Sequence, residues 1–205
     1  MKTLTSFKRF DDANSLGGCL SLILWLGIGL IVVIIIAFIL TLVYYYNRIR
    51  ILANRIEEAW AQIDVQLKKR YDLVPNLVET VKGYAAHERE IFEKVSASRE
   101  RMVSGGSRVE RMEASNALTG ALRTLFAIAE NYPVLRASEN FKLLQEQLDG
   151  IESKIAYARQ YYNSSVLMFN NVITTIPGRW FAGGRQKHPF LEIPEEERRP
   201  VQVEF

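Results

Sequence analysis

The sequence predicts an all-α protein in which a single transmembrane helix continues into an antiparallel, up-and-down bundle of about four long helices. Three observations predict this fold. Residues 17–43 contain no charged residue, apolar residues recur at spacings of three and four beyond them, and a heptad pattern runs through the last predicted helix. These periods are typical of helices and not of strands.

The uncharged stretch is longer than the roughly 20 residues that a helix needs to cross a bilayer. We therefore predict a short polar segment over 1–16 and a transmembrane helix over 17–46. A lipoprotein signal places its apolar region before the cysteine, whereas here the apolar region follows Cys19. The helix is accordingly expected to remain as an uncleaved anchor, with acylation of Cys19 as an open alternative.

The helical bundle domain is predicted over 47–183. Residues 30–74 contain neither glycine nor proline, so the membrane helix can continue directly into the bundle. Pro75 is expected to end or kink this first helix. If the chain reverses there, four helices form an up-down-up-down bundle; if it only kinks, three long helices result. Comparable helix lengths favour the reversal, with a second helix running from Leu77 to Val95.

Local signals mark the later helices. Ser107 and Glu110 match a capping box, which predicts the start of the third helix, and Asn131 begins a breaker that ends it. Ser138 or Asn140 is expected to cap the fourth helix. The residues after it, 184–205, are predicted to form an irregular tail docked through its phenylalanines, Phe190 and Phe205.

The fourth helix carries a sustained heptad pattern. Its two apolar seams are Phe141, Leu148, Ile155, Tyr162, Phe169 and Ile176, and Leu144, Ile151, Ala158, Ser165 and Val172. Asn163 and Asn170 lie beside the seam, one heptad apart. Because helix interiors do not favour asparagine, we interpret this pair as an interaction stripe that bridges to a neighbouring helix or to another copy of the chain. The alternative is two solvated side chains at a bundle edge.

A second candidate surface follows Pro177. If the fourth helix returns to the membrane, Arg179, Trp180 and Phe181 are expected at the lipid headgroups together with Arg48 and Arg50. The alternative is that the two aromatic residues close the bundle end.

The basic residues that flank the span are nearly balanced, with Lys68, Lys69 and Arg70 just beyond the range that sets orientation. Three basic residues precede the span and three follow it closely: Lys2, Lys8 and Arg9, then Arg48, Arg50 and Arg55. We predict the large domain in the cytoplasm and the N-terminus outside. Anionic lipid headgroups account for these basic groups, so no nucleic-acid partner is expected.

The sequence gives only weak matches to catalytic, metal-binding and phosphate-binding motifs. The sequence has two histidines, and in the "HERE" stretch that begins at His87 the position of a second zinc ligand is occupied by Ile91. No phosphate-binding loop follows Gly105 and Gly106. We therefore predict no catalytic residue, no metal site and no cofactor.

Three stretches resemble the LemA family of bacterial membrane proteins: "EEAWAQIDVQLKKRYDLVPNLVETVKGYAAHE", "ARQYYNSSVLMFNNVITTIPGRWFAG" and "PFLEIPEEERRPVQVEF". The resemblance covers about residues 49–205. It implies a single-pass protein of the bacterial cell (inner) membrane, with a short N-terminus outside and an antiparallel helical bundle. The sixteen residues before the span carry both charge signs and are longer than in many relatives. The family has no settled biochemical activity.

We therefore expect a membrane-anchored, non-catalytic scaffold or adaptor whose partners are the lipid bilayer, further copies of the chain as a homo-oligomer, and other membrane proteins. Two alternatives stay open. One is a membrane-surface protein that binds or shapes anionic bilayers, and the other is an enzyme of unknown class.

Overall fold

A computed structural model of the chain describes residues 3–85, 87–104 and 106–192, with side chains from residue 24 onward. Within these ranges every regular element is a helix, which confirms the all-α prediction. The helices are α1 (Thr3–Lys82), α2 (Arg89–Ser104), α3 (Arg108–Ala129), α4 (Pro133–Ala137), α5 (Glu139–Thr174) and α6 (Gly178–Phe181). The chain divides into two compact units, Met1–Arg48 and Ile49–Phe205.

The first unit contains the apolar part of α1. Among the described residues, α1 is the one helix long and apolar enough to cross a membrane, and none of its most apolar window is buried. Trp25 and Leu26 are 71% and 72% exposed. An apolar surface of this extent is unfavourable in water, so the helix fits a single-pass membrane protein. The side chains of the predicted polar segment 1–16 and of Cys19 lie outside the described part.

The second unit is a bundle of four long helices: residues 49–82 of α1, then α2, α3 and α5. Pairs of residues in contact give the directions of the helices. For α1 and α2 the pairs are Lys82–Phe92 and Tyr71–Arg99, and for α1 and α3 they are Glu57–Arg108 and Arg70–Ser115. For α1 and α5 they are Arg70–Glu152 and Trp60–Tyr162. Since α2 and α5 run against α1 while α3 runs with it, the bundle is up-down-up-down, as predicted.

The position of the first reversal differs from the prediction. Helix α1 continues through Pro75 to Lys82, and the chain turns over residues 83–88. The expectation that Pro75 ends the first helix is therefore wrong. So is the single second helix from Leu77 to Val95, because Leu77 belongs to α1 and Val95 to α2.

A side chain from α2 explains why the helix tolerates this proline. Pro75 has no N–H, so the carbonyl oxygen of Tyr71 loses its helical donor. Arg99 Nε donates to that oxygen at 2.9 Å, and the Arg99 guanidinium lies 3.6 Å from the centre of the Tyr71 ring. One arginine thus replaces the missing hydrogen bond and stacks on the neighbouring aromatic face.

The heptad seam of α5 forms the centre of the bundle. Its first five aromatic and aliphatic positions, from Phe141 to Phe169, are each at most 3% exposed. Trp60 packs edge-on against Tyr162, and Phe126 against Phe141, at centroid distances of 6.2 and 6.1 Å. The sixth position, Ile176, lies beyond the end of α5 and is 69% exposed. Its prediction as core is wrong because the helix ends at Thr174.

The predicted capping box at the start of α3 is confirmed. Glu110 N–H donates to Ser107 Oγ at 3.1 Å, and Ser107 N–H donates to Glu110 Oε2 at 2.9 Å. The hydrogen bond from the Ser107 N–H lowers the pKa of the Glu110 carboxyl group, because it stabilises the charged form. Ser138 holds the N-cap position of α5, with no capping hydrogen bond from its side chain.

Replacing Arg99 with alanine is expected to leave the Tyr71 carbonyl without a donor and to lower the free energy of unfolding by about 1–3 kcal/mol. In a Pro75→Ala background the cost should shrink, because an alanine at this position supplies the helical N–H. A double-mutant cycle measured by chemical denaturation tests this coupling. Exposed Arg101 on the same helix is the matched control. Equal costs of Arg99→Ala in both backgrounds would show that the arginine does not compensate for the proline.

Candidate functional site

The two asparagines predicted as an interaction stripe both contact the C-terminal segment of their own chain. Asn163 Nδ2 donates to the Leu191 carbonyl at 2.8 Å, and the Leu191 N–H donates to Asn163 Oδ1 at 2.9 Å. Asn170 makes the same pair of bonds with His188, at 2.9 and 3.0 Å. Each side-chain amide therefore binds both main-chain groups of one residue. We call residues 185–192 the strap and Asn163 with Asn170 the asparagine stripe.

The spacing of the two elements explains the heptad separation of the asparagines. Seven residues of helix rise about 10.5 Å, and three residues of extended chain span about 10 Å. The two distances match, so an extended segment lying antiparallel to α5 brings His188 opposite Asn170 and Leu191 opposite Asn163. Pro189 supports this geometry, because a residue before proline is driven to the extended region.

Side chains of the strap add to the main-chain contacts. Leu191 is 1% exposed and belongs to the bundle core. The His188 ring packs edge-on against Phe169, with 5.0 Å between centroids. Phe190, predicted as an anchor, is 47% exposed, whereas the buried anchor is its neighbour Leu191. Phe205, the second predicted anchor, lies outside the described residues.

The second predicted surface lies at the end of the bundle where Ile49 begins the unit, because α5 runs antiparallel to α1. Trp180 is 71% exposed beside exposed Arg179, and Phe181 is half-buried. Gly178 is required in this turn, since a Cβ there would lie 2.2 Å from the Val172 carbonyl oxygen. Arg50 is exposed in the same unit, and Arg48 is exposed in the first unit.

A buried polar network, not predicted from the sequence, joins three helices. Arg70 is 2% exposed and its Nη1 lies 2.7 Å from Glu152 Oε2. The same guanidinium donates to Ser115 Oγ at 3.1 Å and to Thr119 Oγ1 at 2.9 Å. Burial lowers the pKa of Arg70, and the Glu152 carboxylate opposes that shift. The network connects α1, α3 and α5, and Arg70 Nε has no hydrogen-bond partner among the described residues.

Two carboxylates of α1 form ion pairs with arginines of α3. Glu57 pairs with Arg108, and Asp64 pairs with Arg111. His87 is exposed in the turn between α1 and α2. Over the part of the chain that the structure describes, no group of three or more histidine, cysteine, aspartate or glutamate side chains is arranged to hold a metal ion.

Two neighbouring grooves run between α1 and α5. They have volumes of about 530 and 660 Å³ and share Gly150 and Lys154. Exposed apolar side chains line them, with Val65 52% and Tyr157 73% exposed. The buried Gln66 Oε1 in this wall has no hydrogen-bond partner among the described residues. This face of the bundle therefore exposes apolar side chains beside the two grooves.

Comparison with known proteins identifies the family of this chain. A sequence model of the LemA family matches residues 59–205, a range that includes the asparagine stripe and the strap. The chain belongs to the LemA family. It is 28% identical over 198 residues to magnetosome protein MamQ of Magnetospirillum gryphiswaldense, covering 82% of this chain and 73% of that protein.

Two further relatives have similar identity. Magnetosome protein MamQ 2 of Paramagnetospirillum magneticum is 27% identical over 189 residues, which cover 78% of this chain and 70% of that protein. Protein LemA of Metamycoplasma hominis is 27% identical over 152 residues, covering 69% of this chain and 68% of that protein. The family resemblance predicted from the sequence is thus confirmed.

Replacing both Asn163 and Asn170 with alanine is expected to release the strap without unfolding the bundle. Limited trypsin digestion measures this release, because Arg185 and Lys187 supply cleavage sites inside the strap. Cleavage at these sites should accelerate about tenfold or more, since two pairs of hydrogen bonds are lost. The matched control is Asn171→Ala, an exposed asparagine on the same helix. Unchanged cleavage in the double variant would show that the asparagines do not hold the strap.

Proposed function

We propose that this chain is a membrane-anchored, non-catalytic helical scaffold or adaptor that self-associates and binds other membrane proteins. The observation that carries the proposal is the contrast between its two units. The first exposes an apolar helix that fits a bilayer, and the second buries its heptad seam inside a stable bundle and leaves other faces free for contacts. Such a chain holds a folded domain at a membrane surface.

The adaptor part of the proposal rests on the α1–α5 face. Clustered apolar side chains at a groove are typical of surfaces that bind protein. Val65, Tyr157 and Leu143 are each more than half exposed there. A helix of another membrane protein has the shape and the apolar stripe that this groove fits.

The non-catalytic part rests on how the polar groups are used. Arg70, Glu152, Ser115 and Thr119 bond to one another between helices. Glu57 and Asp64 are held by arginines on α3. Each of these groups joins side chains of different helices. These groups therefore support a structural role.

The mass of the full-length protein in mild detergent tests self-association. We expect a defined multimer for the full chain. The fragment that begins at Arg48 lacks the span and is the comparison: a monomeric fragment would assign the assembly to the membrane helix, and a multimeric one to the bundle. A full-length chain that is monomeric at all concentrations would exclude the self-associating scaffold.

A second candidate function, binding to anionic bilayers, is favoured by the exposed end of the bundle. Trp180, Ile176 and Arg179 lie together there, and the bundle begins at Ile49, three residues after Tyr46 at the end of the predicted span. Aromatic and basic side chains in this arrangement suit the interface between headgroups and acyl chains.

If this candidate is correct, the fragment from Arg48 should co-sediment with vesicles containing phosphatidylserine and dissociate at high salt. Replacing Arg179 and Trp180 with alanine should weaken binding about tenfold, because one cation and one interfacial ring are lost. Tyr157→Ala removes an equally exposed aromatic side chain from the middle of α5 and is the control. Absence of binding at low ionic strength would rule this candidate out.

A further inference from the structure

The asparagine stripe recognises a main chain and not particular side chains. Within the described residues, the four hydrogen bonds of its side-chain amides go to the N–H and C=O groups of His188 and Leu191. Recognition of an extended backbone through paired amide bonds is the chemistry by which a peptide adds to a sheet edge. Here two helix side chains supply the donors and acceptors that a strand would supply. The stripe is therefore built as a binding site for an extended segment.

The occupant of this site is joined to the bundle through two glycines. Gly183 and Gly184 have φ values of +58° and +72°, in the left-handed region that glycine adopts without steric cost. The chain leaves α6 at Phe181 and enters the strap directly after these residues. A pair of glycines also lets the backbone take other directions at the same point. The strap is thus a discrete segment that follows a junction of two glycines.

We propose that the asparagine stripe binds the strap of a second copy of this chain, with the two copies exchanging straps. This inference rests on the proposed function, because it names the contact through which the chain self-associates. An exchanged strap makes the same four main-chain bonds, the same Leu191 burial and the same His188–Phe169 contact as the strap in its own chain. No new complementary surface is needed, which is why exchange of identical segments is a low-cost route to a dimer.

The membrane anchor raises the frequency with which two copies meet. Copies that share one bilayer are confined to a layer, which raises their effective concentration relative to free solution. When two copies exchange straps with each other, the contact is reciprocal and closes on a two-fold axis.

Crosslinking between two differently tagged full-length chains tests the exchange. Both carry Cys19→Ser, which removes the one native thiol. One chain carries Leu167→Cys, on the helix face between the two asparagines, and the other carries Phe190→Cys in the strap; both positions are about half exposed. The chains are co-expressed, purified in mild detergent and treated with a short bismaleimide. We expect a crosslinked dimer that contains both tags.

Replacing Asn163 and Asn170 with alanine in the Leu167→Cys chain should reduce this crosslink about tenfold, whereas Asn171→Ala should not. Leu191→Ala in the Phe190→Cys chain should give the same reduction from the strap side. This second variant keeps the test valid if the asparagine variant has a lowered helical content by circular dichroism.

Three results overturn the proposal. The first is a crosslink that persists in both the asparagine and Leu191 variants. The second is a multimer without the mixed-tag crosslink, while a single chain that carries both cysteines crosslinks within itself. That result would show that the strap binds its own chain, and it would not exclude self-association. The third is a monomeric full-length protein, which removes the proposed self-association as well.

Discussion

The packing of the α5 seam against α1 and α3 is the interaction on which the rest of the bundle depends. Tyr162 meets Trp60 on α1, and Phe141 meets Phe126 on α3. Heptads are often taken as evidence of a coiled coil between chains, yet these side chains are almost completely buried within one chain. The side chains of the seam therefore pack against helices of the same chain. The asparagine stripe lies on another face of α5.

Polar groups then fix how the helices sit against one another. A purely apolar seam tolerates small slips between helices, because burial is non-directional. The Arg70–Glu152 pair, with Ser115 and Thr119, admits one alignment of α1, α3 and α5. A buried ion pair adds little net stability, since desolvation offsets much of the attraction. Its directional bonds join α1, α3 and α5, as the Arg99 bond to the Tyr71 carbonyl joins α2 to α1.

Much of the fold could be predicted from local pattern. The α5 seam, the uncharged span and the Ser107–Glu110 box all depend on residues close in sequence, so their periods and cap chemistry are visible directly. The continuation of helix α1 through Pro75 could not be predicted, because the compensating hydrogen-bond donor, Arg99, lies 24 residues further along the chain. Proline rules describe the isolated helix, and a tertiary hydrogen bond overrides them here.

The candidate site was predicted in its residues but not in its contacts. Two asparagines one heptad apart indicated polar contacts on one helix face. Their occupant is an extended segment at least 18 residues away in sequence, and the heptad spacing alone does not distinguish it from a helix or another copy. The available signal was Pro189 between His188 and Leu191, which marks extended chain of matching length. The network around Arg70 carried no local signal, because its members come from three separate helices.

Hydrogen exchange of the full-length protein, measured at the amides of His188 and Leu191, tests the central claim that the asparagine stripe binds an extended main chain. These N–H groups donate to Asn170 and Asn163. We expect both amides to exchange slowly and to lose protection together when either asparagine becomes alanine. Exchange of the two amides at the rate of an unstructured peptide would contradict the claim.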